Sequence, residues 1–92
     1  MMKGEYEMTG REIIKNIMNL NGITNAQMAH RLSISQAAVW DRLNNKKLKD
    51  IPFSLLCEML SVIDYDVLIV PHGKGSKIEG AYAVSGIEDK LT

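Results

Sequence analysis

The sequence predicts a mainly α-helical fold: four helices followed by a C-terminal β-hairpin. Three helix starts, each a capping residue leading into a helical apolar pattern, lie between Thr9 and Ser35. A fourth helix starts at Pro52. After Asp64 the apolar residues become continuous and β-branched, which marks a change from helix to strand.

Residues 1–8 show no period and are expected to form a flexible lead-in. Thr9-Gly10-Arg11-Glu12 reads as a capping box, in which threonine and glutamate side chains each serve one of the other's backbone amides. Met8 and Ile13 complete a hydrophobic staple. Ile13, Ile14, Ile17, Met18 and Leu20 supply the inner face of helix 1, and Gly22 ends it. Thr24-Asn25-Ala26-Gln27 repeats the capping box, with Ile23 and Met28 as its staple and Met28, Ala29 and Leu32 inward. Ser35 caps helix 3, which runs from Gln36 to Asn44 with Ala38, Val39 and Leu43 inward. Lys46 to Asp50 is a polar, basic loop. Pro52 suits the first turn of helix 4, whose buried stripe is Leu55, Leu56, Met59, Leu60 and Ile63. Tyr65 to Val70 reads as a strand, His72 to Ser76 as a turn and Tyr82 to Val84 as a second strand. The expected organisation is a helical domain over 9–64, a hairpin over 65–86 and a frayed tail over 87–92.

A 92-residue chain forms one small domain with a modest core, which makes self-association a reasonable expectation. At 46% hydrophobic and 24% charged residues, the composition is that of a globular chain and excludes a disordered one. Val67 to Val70 is far too short to span a bilayer, and the glutamates near the N-terminus do not resemble a signal peptide, so a cytoplasmic protein is expected. The single cysteine, Cys57, lies in a helical apolar pattern and is expected to be a small buried hydrophobe. Net charge is zero, but it is segregated. Between Ile23 and Asp50 lie Arg31, Arg42, Lys46, Lys47 and Lys49 against Asp41 and Asp50. Between Ile51 and Asp66 lie Glu58, Asp64 and Asp66 with no Lys or Arg. A local basic face is what contact with phosphate requires.

Two short helices joined at Ser33-Ile34-Ser35 have the dimensions of a helix-turn-helix over Asn25 to Asn44. Such a unit needs a small residue where the helices approach, and Ala29 stands there. Met28, Leu32, Ile34 and Val39 supply the apolar contacts between the helices. Gln36, Ala37, Trp40, Asp41 and Asn44 must then point away from the core.

In Thr24-Asn25-Ala26-Gln27-Met28-Ala29 and Ser35-Gln36-Ala37-Ala38-Val39-Trp40 the chain resembles the Cro/repressor (Xre-like) helix-turn-helix family of phage and bacterial regulators. The resemblance extends over Thr9 to Ile63 in helix order and is specific from Thr24 to Asn44. Ser33 departs from the glycine usual at the turn, and a left-handed conformation there would carry a cost. The resemblance implies a lambda-repressor-like fold that binds double-stranded DNA as a dimer and represses transcription. It places Ser35, Gln36, Ala37, Trp40, Asp41 and Asn44 toward base edges, with Gln36 best suited to pair with adenine and Asn44 second. Asn25 would touch a phosphate, and Arg42, Lys46, Lys47 and Lys49 would add further backbone contacts.

Val67, Leu68, Ile69 and Val70 are apolar at every position, so both faces of that strand need cover. Helix 4 suits one face and a second copy of the chain the other, which makes these four residues the expected dimerisation element. A second reading keeps the scaffold but gives it a protein partner, as in the antitoxin of a toxin–antitoxin pair or a phage-encoded inhibitor of a host factor. The neutral charge, Asp41 and Trp40 favour it. His30 and His72 have no companion at metal-ligand spacing and are expected at the surface. Gly73-Lys74-Gly75-Ser76 lacks the spacing of a phosphate loop and reads as a hairpin turn. With no nucleophile–base pair in view, neither enzyme activity nor a cofactor or metal is expected.

Overall fold

The computed structural model describes residues 7–47, 50–71 and 78–84. In chain order its elements are β1 (Glu7–Met8), α1 (Gly10–Asn21), α2 (Asn25–Leu32), α3 (Gln36–Asn44), α4 (Phe53–Ser61) and β2 (Ala83–Val84). Among the described residues no helix is long and apolar enough to cross a membrane.

The start of α1 is tied to a residue forty positions away. Thr9 Oγ1 accepts from the Glu12 amide at 3.2 Å, and Glu12 Oε1 accepts from the Thr9 amide at 3.0 Å, which completes the expected capping box. The two amides this box leaves over are those of Gly10 and Arg11. They donate to the carboxylate of Asp50 at 2.8 and 3.0 Å, and the same carboxylate accepts from the Ile51 amide at 2.7 Å. Every orphan donor of the first turn is thereby satisfied, and a negative charge sits at the positive end of the helix. Gly10 makes the approach possible. A Cβ there would lie 3.1 Å from Leu56 Cδ1 and 3.2 Å from Asp50 Oδ1.

The helices bury one shared core. It takes Ile13, Ile14, Ile17 and Met18 from α1, Met28 and Ala29 from α2, Val39 and Leu43 from α3, and Leu56, Met59 and Leu60 from α4. Ile51 and Ile63, flanking α4, close it. α1 is central, touching both α3 and α4, while α2 packs on α3. Leu20 was expected inside but is 69% exposed, because it lies on the edge of the apolar stripe at the open end of α1. Leu32, Ala38, Leu55 and Cys57 are half-buried rather than fully inward. Pro52 precedes the first helical residue and occupies the cap position of α4, with φ −56° and ψ 147°.

Left-handed residues close α1 and follow α4. Gly22 (φ 66°) ends α1, and the Ile23 amide returns to the Met18 carbonyl at 2.8 Å. Beyond α4 Asp64 adopts φ 69°, and the Tyr65 amide returns to Leu60 at 2.9 Å. Arg31 of α2 reaches across to donate from Nη1 to the Val62 carbonyl at 3.1 Å, a cation placed at the negative end of α4.

The expected hairpin does not form among the described residues. Residues 65–70 belong to no ladder among the described residues, and β2 pairs with β1 instead, in parallel, with Glu7 opposite Ala83 and Met8 opposite Val84. What directs this pairing is Tyr82. It packs against the core, and its hydroxyl accepts from Asn16 Nδ2 of α1 at 2.9 Å. Docking Tyr82 on α1 places the next two residues beside the segment leading into that helix. Glu7 and Met8 are accordingly a strand, with Met8 packed on the core, rather than part of a flexible lead-in. The turn before β2 has Gly80 at φ 81° and the Ala81 amide bonded to Ile78 at 3.2 Å, as a type II turn requires. The expected turn at 73–76, His72 and the frayed tail at 87–92 lie outside the described residues.

Replacing Asp50 by Ala should destabilise the fold by about 2 kcal/mol, since it removes a cap and a favourable charge from α1. Gly10→Ala should also destabilise it, through the close contact with Leu56 and Asp50. Urea unfolding of both variants checks this; a midpoint unchanged in Asp50→Ala would contradict the role given to the carboxylate.

Candidate nucleic-acid interface

The segment from Asn25 to Asn44 presents α3 on the surface through its local chemistry. Thr24 and Gln27 form a second reciprocal capping box, at 3.1 and 2.9 Å. α2 ends at Ser33, which is left-handed at φ 59° and ψ 42°. The Ile34 amide bonds back to the Ala29 carbonyl at 3.0 Å and the Ser33 amide to His30 at 3.2 Å. This closed turn joins α2 to α3 within three residues. Ser35 then caps α3, its Oγ accepting from the Ala38 amide at 3.0 Å. Met28 and Ala29 on one helix and Val39 and Leu43 on the other are buried, which sets the rotation of α3.

With that rotation, Ser35, Gln36, Ala37, Trp40 and Asp41 are all exposed, Trp40 by 56%. They form a continuous outward face of α3, as the apolar periodicity requires. The Asp41 carboxylate accepts from Asn45 Nδ2 at 3.1 Å, and Asn45 Oδ1 accepts from the Lys47 amide at 2.8 Å. The acid is thereby drawn toward the helix end. Lys46 and Lys47 follow, both exposed.

Asn44 differs from the rest of this face. It is half-buried and donates from Nδ2 to the Trp40 carbonyl at 3.0 Å. With Asn25, the half-buried first residue of α2, it lines an open cleft of about 270 Å³. Lys15 and Asn19 of α1 form another wall, and Met18, Ile23 and Leu43 complete the lining. Sequence reasoning missed Lys15 and Asn19. Their signal was a polar pair four residues apart on α1, one turn before its glycine stop.

The basic residues divide into two groups. Arg31 is spent on the α4 terminus. Arg42, expected among the phosphate-facing residues, is half-buried and faces Glu58 of α4 at 3.7 Å. Its position explains this: Arg42 precedes the buried Leu43 and follows Val39 by three residues, on the side of α3 turned to α4. Lys46 and Lys47 remain as exposed cations, and Lys49 lies outside the described residues. His30 is exposed on α2.

Comparison with protein-family models, curated proteins and solved structures returns no match. The functional reading therefore rests on the geometry and chemistry of these residues.

Ser33→Gly should stabilise the protein by up to about 1 kcal/mol, because glycine adopts the left-handed turn without the steric cost that serine bears. Thermal unfolding measures it. A lowered midpoint would show that the serine side chain contributes more to the turn than its backbone strain removes.

Proposed function

We propose that this protein is a sequence-specific, double-stranded DNA-binding regulator of transcription whose helix-turn-helix, α2 and α3, reads the major groove as a homodimer. The observation that carries this reading is the outward face of α3. It is exposed and mostly polar, and α2 holds it rigidly through a closed turn. Gln36 offers the donor and acceptor that match an adenine edge, and Lys46 and Lys47 stand beyond the helix end to meet phosphates. The cleft walled by Lys15, Asn19, Asn25 and Asn44 suits a backbone phosphate, since its polar groups are one ammonium and three amides. Binding at a two-fold symmetric operator would occlude the promoter and repress transcription.

Exposed apolar residues in 65–70 support the dimer. Leu68 and Ile69 are 68% and 89% exposed, Val67 is exposed and Val70 half-buried, in a segment that has no ladder partner among the described residues. A strand or helix of a second copy would cover them, and edge-to-edge pairing would make a continuous sheet across the two-fold axis. It would also set two α3 helices about one DNA turn, roughly 34 Å, apart.

The exposure of Trp40 favours a second reading, in which the same face docks a protein, as in an antitoxin or a phage-encoded inhibitor. One experiment separates the two. If α3 enters the groove, Trp40 fluorescence changes on adding duplex DNA, and the affinity falls steeply with salt as counterions are released. Gln36→Ala should weaken binding to the preferred site by about 1–3 kcal/mol. Unchanged emission together with no salt-dependent gel shift would leave the protein-docking reading in its place. For the dimer, Leu68→Lys or Ile69→Lys should yield a monomer by light scattering; wild-type protein already monomeric at micromolar concentration overturns that part.

A further inference from the structure

We infer that α3 reads A·T pairs, with Gln36 on an adenine edge and the adjoining surface of Ala37 and Trp40 seated on thymine methyl groups. This inference rests on the reading of α3 as the groove-entering helix and goes further, to the bases it selects.

The argument begins with what the outward face lacks. Direct reading of guanine depends on a cation forked onto two acceptors, supplied by arginine or lysine. The only cation in α3 is Arg42, and it is half-buried against Glu58 of α4. The next cations, Lys46 and Lys47, lie past the end of the helix. The base-facing turns of α3 therefore carry no cation to fork onto a guanine, and the carboxylate that could accept from cytosine, Asp41, is engaged by Asn45 at 3.1 Å.

What the face does hold is apolar surface. Ala37 and Trp40 are three residues apart and share a side of the helix, and both are exposed. Helical Cβ bonds tilt toward the N-terminus, which directs the indole of Trp40 over the turn containing Gln36 and Ala37. Of the four bases only thymine presents a methyl group in the major groove, and small or aromatic apolar side chains are its usual partners. The one acid on the face, Asp41, is held toward the helix end by Asn45, so the Gln36–Trp40 end is uncharged. Uncharged apolar surface in the middle and lysines at the margin match a groove lined by methyls and bordered by phosphates.

The test uses the whole chain. Selection from a random duplex library should enrich a half-site with adenine and thymine at its strongest positions. Thymines in that site are then replaced singly by uracil, which removes the C5-methyl and nothing else. At one or two positions the affinity should fall on the order of threefold to tenfold, as expected for the loss of one buried methyl. Trp40→Ala, an exposed position whose fold is checked by circular dichroism, should lose the thymine–uracil difference at the position the indole covers. Gln36→Ala should keep the difference. A selected site with guanine or cytosine at its strongest positions, or one indifferent to uracil throughout, overturns this inference while leaving DNA binding intact. Failure to bind any duplex at low salt overturns the regulator reading itself, and this inference with it.

Discussion

The carboxylate of Asp50 holds three backbone amides, two at the first turn of α1 and one beside it at Ile51. This places the loop between α3 and α4 against the helix that touches both. α1 alone presents a complete apolar stripe, but a stripe does not say which way the chain must return to cover it. The cap does, because amide and carboxylate must meet within hydrogen-bonding distance. Once Asp50 is seated, Ile51 and Leu56 fall onto the core directly, and Gly10 leaves the space the approach needs. An ion pair at the surface would not have this effect. Its energy is small and its geometry loose, whereas a helix terminus presents fixed donors in a fixed direction.

The same economy governs the cations. A reading by net charge counts Arg31 and Arg42 as part of a basic surface, yet both are directed at α4, Arg31 from an exposed position to a carbonyl at its end and half-buried Arg42 to Glu58. The acidic stretch of the chain and the basic stretch therefore meet in the fold. What is left for a partner among the described residues near α3 is narrower: Lys46 and Lys47 after the helix, a cleft with Lys15 on its wall, and a helix face with mixed polar and apolar character.

The C-terminal segment shows how a short element finds its partner. Residues 67–70 have the composition of a central strand, but the described residues offer them no ladder partner, and the side chains of Val67, Leu68 and Ile69 are exposed. Two residues of β2 do find a partner because Tyr82 is already fixed, by packing and by Asn16, beside the entry to α1. A two-residue ladder has little stability of its own. It forms where a side-chain anchor has already met the entropy cost of bringing distant segments together.

The four helices were legible in the sequence because their signals are local. A capping threonine, a reciprocal glutamate or glutamine and a left-handed glycine all act within one turn, and burial follows the helical period from there. The outward face of α3 was legible for the same reason, as the complement of Val39 and Leu43. Ser33 was legible as a strained turn, and the structure gives it the left-handed angles that the position requires. Tertiary structure alone decided the rest: that Asp50 caps α1, that Arg42 belongs to α4, that Lys15 and Asn19 share a cleft with Asn25 and Asn44, and that β2 joins β1. Each of these joins residues far apart in the chain. No periodicity or spacing encodes them, since they depend on which surfaces remain once the helices have packed.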